Sequence, residues 1–385
     1  MKCDEKGLTS VLALALSFLI QMIVGINGII VPLFAKHMGA KPLLLGLIGA
    51  AGGLIYTFMP LIAGMLSDRF RRKTFIVVSM LLYGLSCIFY AMAANPQILI
   101  PIRALEWCSI SLFWPSVEAL LAEVSGKNID RTLEKFNLSW GSATVVAPMI
   151  GGLLVTALGA ESRIPFISLA IILFTLSFLS ILAIREVRDV KLSRGKYKGA
   201  ERRGAGDPVR NAIIVILLFS TIGGIIFNLF PAYAVDLGIL ASEVGLIMLF
   251  NGLFRLIAFL QAYRIERKIG EKRTLLLGAA VMAISLILTA FDGTTLILSV
   301  ALSMIGFSAG VLYAESISIM LGKSGHARGY AAGLFESLIG VGYFLGSLVG
   351  GAAAEYSPNA PYILGFLLSS AVFLMLLSQK LIKRY

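Results

Sequence analysis

The sequence predicts an all-α membrane protein of twelve transmembrane helices arranged as two six-helix repeats. Three observations carry that expectation: the number and length of its apolar runs, the one-sided placement of its Lys and Arg, and an ungapped internal repeat. With 58% hydrophobic and 14% charged side chains and a mean hydropathy of +0.90, the chain lies far from soluble composition, in which about a quarter of residues are charged. Soluble enzymes and free nucleic-acid binders are excluded on that ground.

Crossing ~30 Å of hydrocarbon takes roughly 20 helical residues. Apolar runs of that order, bounded by charge or turn residues, lie at 8–35, 43–66, 75–94, 98–122, 137–159 and 164–184. A polar stretch follows, then runs at 211–233, 243–263, 274–291, 295–321, 331–354 and 361–379. The first run is too long for the apolar core of a cleavable signal and leads directly into further spans, so it is expected to remain as a helix.

The formal charge of +12 is a matter of orientation rather than of a polyanionic partner. With both termini on the cytoplasmic side, the inner segments hold 28 of the 33 Lys and Arg, and the outer loops hold Lys36, Lys41 and Arg163. Arg103 and Arg255 stand inside spans. The stretch 185–210, with nine basic and four acidic residues and several glycines, is expected to be a flexible cytoplasmic linker on an anionic leaflet. It divides the chain into bundles at 1–184 and 211–385.

These halves also look like copies. A shift of 199 positions pairs Gly25 with Gly224, Pro32 with Pro231, Gly39 with Gly238, Gly46 with Gly245 and Gly53 with Gly252, with 16 identities over the 67 positions 25–91. A composition this apolar gives roughly one identity in ten by chance, so duplication of a six-helix unit is the better account.

Three segments carry a family resemblance. Gly64-Met65-Leu66-Ser67-Asp68-Arg69-Phe70-Arg71-Arg72-Lys73, between spans two and three, resembles the G-x-L-x-D-R-x-G-R-K signature of the major facilitator superfamily, with Arg71 in place of the second glycine. Arg103 in span four resembles that family's buried arginine, with Glu106 and Trp107 where glutamine and glycine are usual. Ala147-Pro148-Met149-Ile150-Gly151-Gly152 in span five resembles the G-P-x-x-G-G element frequent in the family's antiport-type exporters.

The resemblance implies the major facilitator fold, a substrate cavity between the halves, and a cytoplasmic gate of Gly64, Asp68, Arg69, Arg72 and Lys73. Asp68 is expected to meet the positive end of span eleven, with Glu336 in its first turns facing Arg72. In the helix-five element, Pro148 frees a backbone carbonyl while Gly151 and Gly152 allow close helix approach.

A charge at mid-bilayer costs about 2.5 to 3.5 kcal/mol on insertion scales, so charged residues within spans are candidate functional groups. They are Arg103, Glu106, Glu118, Arg255 and Glu315. Glu106 shares a helix face with Arg103 at i+3, either as a structural pair or as a proton-sensitive one. Glu118 follows Arg103 by 15 residues, ~22 Å along the helix, and Glu315 sits at similar depth in the duplicate span. The expectation is that Glu118 and Glu315 face each other across the cavity as proton carriers or as counter-charges for a cation. Arg255 either neutralises Glu315 or binds an anionic group of the substrate.

Other signals fail on context. Cys3, Cys87 and Cys108 are too scattered for a disulfide framework, and with His37 and His326 standing alone no metal site is expected. Gly306-Phe307-Ser308-Ala309-Gly310 fits G-x-S-x-G but lies inside an apolar helix, without the strand-turn-helix setting of a hydrolase. No G-x-x-x-x-G-K-[ST] loop exists to hold ATP, and no cofactor is expected. The expected activity is secondary active transport of a small solute by alternating access, first as proton-coupled export of an amphipathic or drug-like compound. Uptake of a sugar or organic anion is the alternative. Expected partners are the lipid bilayer, the solute and protons or another coupling ion, with no nucleic acid, for a monomer working in the plasma membrane.

Overall fold

The computed structural model describes residues 2–67, 71–125, 129–184, 207–291, 293–322 and 328–382. The chain is all-α, with thirteen α-helices and no strand among the described residues. In order these are α1 (Lys2–His37), α2 (Pro42–Ser67), α3 (Arg72–Met92), α4 (Leu99–Ser125), α5 (Ile129–Leu158), α6 (Ile164–Ala183), α7 (Asp207–Asn228), α8 (Phe230–Asp236), α9 (Ala241–Ile269), α10 (Glu271–Phe291), α11 (Thr295–Gly322), α12 (Arg328–Ala354) and α13 (Ala360–Ile382). Twelve are long and apolar enough to span a bilayer, so the expected spans eight to twelve are α9 to α13. Most of the expected linker lies outside the described residues.

The seventh run departs from its expected form. The sequence predicts one span over 211–233, but the helix breaks at Leu229 and resumes as the seven-residue α8. Pro231 is the physical reason, since it has no N–H to offer the Phe227 carbonyl and its ring crowds that turn. The duplicate proline, Pro32, is accommodated inside a continuous α1.

Packing repeats along with sequence. In the first half α1 lies on α5, α2 on α4, and α3 on α4 and α6; in the second, α7 lies on α12, α9 on α11, and α10 on α11 and α13. Each pairing recurs six spans later. The halves meet along two equivalent seams, α2 with α12 and α5 with α9. Lipid tails supply no hydrophobic drive between helices, so such seams rely on small residues that let backbones touch. Gly152 lies under the Ala241 carbonyl, and Gly245 lies 2.7 Å, measured from where a Cβ would stand, from the Pro148 carbonyl oxygen. The same element also grips α1, with Ala147 against Gly25 and Gly151 against Ile26 and Ile29. Pro148, Gly151 and Gly152 therefore sit where α5 is held on both sides.

The face opposite the chain ends is closed by bonds between halves. Lys36 pairs with Asp236 and donates to the Ala232 carbonyl at 2.8 Å. The Leu43 N–H donates to Glu355 Oε1 at 2.9 Å, and the Ser242 N–H to Thr156 Oγ1 at 2.9 Å. Toward the face that carries the chain ends, called the basic face below, α4 and α11 are not among the packed helix pairs.

Gly152→Val forces α5 and α9 apart at a cost of about 1–3 kcal/mol, as for overpacked contacts. Hydrogen exchange should then show faster deuterium uptake over α8 and the first turns of α9 than in wild type. Unchanged uptake there would mean that this seam does not hold the closed face.

Candidate functional site

Two polar groupings occupy the interior. The first surrounds Glu106 on α4, which is 1% exposed. Its Oε2 accepts from Arg103 Nη1 at 2.8 Å and from Tyr90 Oη at 2.7 Å; its Oε1 accepts from Tyr83 Oη at 3.1 Å and Asn27 Nδ2 at 3.5 Å. Four donors occupy the roughly four lone-pair sites of a carboxylate, so the charged form is fully answered. Arg103, equally buried, donates from Nη2 to Asn228 Oδ1 at 3.4 Å and lies 5.8 Å and 5.6 Å from the ring centres of Trp107 and Phe227. Asn228 Nδ2 in turn donates to Ser347 Oγ at 2.9 Å. One continuous network thus runs from α1, α3 and α4 in the first half to α7 and α12 in the second.

The second grouping lies nearer the basic face and is built from both halves. Tyr56 Oη on α2 donates to Glu336 Oε2 on α12 at 2.9 Å. Glu118 on α4 is close enough to Glu336 to feel its charge, and both carboxylates lie in the same electrostatic neighbourhood as Tyr56 and Tyr313. Glu118 is solvent-exposed, with Glu336 of the other half in its electrostatic neighbourhood. Among the described residues neither carboxylate has an ion-pair partner.

Aromatic rings pack around this grouping. Tyr56 meets Trp107 edge-to-face at 5.4 Å, and Trp107 meets Tyr343 at 5.6 Å. Tyr313 stands against Phe335 at 5.2 Å and Phe219 at 5.6 Å. Arg255, on α9, completes the wall beside Tyr343. Its Nη2 donates to Asn251 Oδ1 at 2.8 Å, while its Nε is buried without a hydrogen-bond partner. The arrangement presents two carboxylates, a phenol, flat apolar faces and a guanidinium to one space, which suits a solute with rings and charge.

Several expectations require correction. Glu315 does not face Glu118; it is 2% exposed, with Oε2 unpartnered, and turns toward Glu266 and Glu271 where α9 meets α10. Glu118 instead has Glu336 opposite it. Arg255 does not neutralise Glu315, since its side chain goes to Asn251 and Tyr343. Glu336 does not meet Arg72: α12 begins at Arg328, which puts Glu336 more than two turns in, while Arg72 Nε holds Glu123 at 3.1 Å. Lys73 Nζ donates to the Ile181 carbonyl at 2.5 Å, so both cations tie α3 to neighbours in its own half. Gly64 lies in the last turn of α2, and Asp68 and Arg69 lie outside the described residues.

Tyr56, Tyr83, Tyr90 and Tyr313 join these groupings without being singled out by sequence reasoning. The one available signal is the 199-position register, which sets Tyr56 against Arg255, a polar pair at matching places in the two copies.

Comparison with known proteins decides the family. The sequence profile of the Major Facilitator Superfamily matches residues 13–233 and again residues 212–383. The chain belongs to this superfamily. Superfamily transporters among its relatives include Multidrug resistance protein 1 of Bacillus subtilis (strain 168), 24% identical over 371 residues with 93% of each chain covered. Another is Quinolone resistance protein NorA of Staphylococcus aureus (strain MRSA252), 22% identical over 378 residues with 94% of each covered. Among solved structures, a point mutant of the nucleoside transporter NupG superposes with a TM-score of 0.84 at 13% identity, covering 96% of this chain and 99% of that one. A bacterial homologue of the human lysosomal transporter Spinster, in an inward-facing and unoccupied conformation, superposes with a TM-score of 0.78 at 12% identity, covering 97% and 95%. At these identities the structures speak for the fold alone.

Breaking a buried ion pair by removing one partner costs about 3–5 kcal/mol, against about 1 kcal/mol for one neutral hydrogen bond. Glu106→Gln should therefore lower the thermal unfolding midpoint in detergent much more than Tyr90→Phe does. Equal shifts would mean that Arg103 finds its compensation elsewhere.

Proposed function

We propose that this superfamily transporter is a proton-coupled exporter of amphipathic, drug-like compounds in the plasma membrane, with both chain ends in the cytoplasm. The observation that carries this reading is the carboxylate pair Glu118 and Glu336, drawn from opposite halves and left without a cation in an aromatic-walled space. Two like charges held near one another repel, and one proton or one cationic solute relieves that repulsion. Competition between the two for the same pair is a physical basis for antiport. The names of the relatives, a multidrug resistance protein and a quinolone resistance protein, support export.

In this reading the basic face is cytoplasmic, on the Lys and Arg asymmetry. The closed opposite face and the exposed Glu118 then correspond to a state that loads from the cytoplasm. The bundles 1–184 and 211–385 rock about the two seams, joined by the linker 185–210. Arg103 and Glu106 act as a latch whose reach to Asn228 is made in this state and lost in the other. Asp68 and Arg69, with Gly64, Arg72 and Lys73, form the cytoplasmic gate when that side closes. Glu315 is a second proton-binding candidate, outside the cavity.

Uptake of a sugar or organic anion is the second reading, favoured by one observation: Arg255 lines the same space with no carboxylate on it.

Inside-out vesicles with an acidic interior and a pH-sensitive dye test both readings. Adding cationic aromatic compounds should trigger alkalinisation, reduced about tenfold or more by Glu118→Gln and likewise by Glu336→Gln. A flat trace from vesicles holding folded wild-type protein, with carboxylates accumulating instead, would favour uptake.

A further inference from the structure

The two readings treat Arg255 and the carboxylate pair as belonging to different substrates, yet they stand on one wall. Tyr56 donates to Glu336 and touches Trp107; Trp107 touches Tyr343; Tyr343 lies beside Arg255. Along α12, Tyr343 is seven residues beyond Glu336, a rise of about 10 Å. Opposite charges are thus displayed at the two ends of a row of rings, and neither end is neutralised by protein among the described residues.

A guanidinium in a membrane-spanning helix needs an answering group. The described hydrogen bond of Arg255 goes to the neutral Asn251 oxygen, and its Nε is buried and unpartnered. Its side chain is partly exposed and carries more N–H donors than its one described side-chain bond uses. Glu315 on α11 lies five residues beyond Gly310, where that helix crosses Arg255, and its electrostatic neighbours are Glu266 and Glu271. The missing anion is therefore one the cavity receives rather than one the fold supplies.

We propose that the substrate class is amphoteric: a flat aromatic molecule carrying a protonated amine at one end and a carboxylate or comparable anion at the other. The amine sits between Glu118 and Glu336, the rings lie along Tyr56, Trp107 and Tyr343, and the anion is bound by Arg255, whose planar fork suits a carboxylate. This inference rests on the substrate cavity of the proposed function and selects within it.

The test is equilibrium binding to the purified full-length protein in nanodiscs, using tritiated 6-(aminomethyl)-2-naphthoic acid, its methyl ester and its N-acetyl derivative. The amphoteric parent should bind about tenfold or more tighter than either derivative, since each derivative lacks one charge-assisted contact. Arg255→Gln should bring the parent down to the ester, with a thermal unfolding midpoint near that of wild type reporting that the variant is folded. Arg255→Lys should restore part of the difference, and Glu118→Gln should erase the advantage over the N-acetyl derivative. A parent that binds no tighter than the ester in wild type, or an Arg255→Gln variant that weakens ester and parent equally, would overturn the proposal, as would absence of binding by all three. Proton-coupled export stands or falls separately on the vesicle trace: ester binding with proton flux but no gain from the acid keeps export and removes the amphoteric substrate.

Discussion

A charge inside hydrocarbon must either be paired or be left facing water, and the interior of this protein is organised around that requirement. Arg103 and Glu106 satisfy it by pairing, with Tyr83, Tyr90 and Asn27 occupying the remaining acceptor positions of the carboxylate. A pair so completely bonded is rigid, and its three supporting side chains come from α1 and α3, so it also locks α4 to the core of the first half. Glu118, Glu336 and Arg255 meet the requirement in the other way, by remaining partly or fully exposed. The division separates groups that hold the fold from groups left free to bind.

The seams obey a second rule of the bilayer, that helices associate through close contact of small residues. Because α5 presents Ala147 and Gly151 to α1 and Gly152 to α9, a single six-residue element is shared between the interior of one half and the boundary with the other. The α5–α9 contact is therefore backbone on backbone, with few side chains between the two helices.

The twelve spans are legible in the sequence because run length and loop charge are local properties, and the duplication is legible because 199 positions separate like from like without a gap. Depth is legible too, since it follows from counting residues along a helix. Facing is not. α11 is apolar around its whole circumference, so no stripe tells which way Glu315 points, and only packing against α9 and α10 turns it from the cavity. Sequence places Glu336 at a gate because its helix starts three residues earlier than the apolar run does, in a connector of glycine and basic residues with no cap signal. Tyr313 gives no warning, since a tyrosine in an apolar helix looks the same whether its hydroxyl serves a site or a neighbouring carbonyl, and Tyr56 is marked only by its register with Arg255.

The break at Leu229 has a mechanical consequence. Asn228, which receives Arg103, is the last residue of α7, and Asp236, which receives Lys36, is the last residue of α8. Two of the bonds that tie the halves at this end therefore fall on opposite sides of the break. A continuous helix would act as a stiff rod, so releasing Lys36 would lever directly on Arg103. With the Phe227 carbonyl receiving no N–H from Pro231, α7 and α8 are joined by fewer bonds than a continuous helix, and the outer tie on α8 is coupled less stiffly to the buried ion pair held on α7.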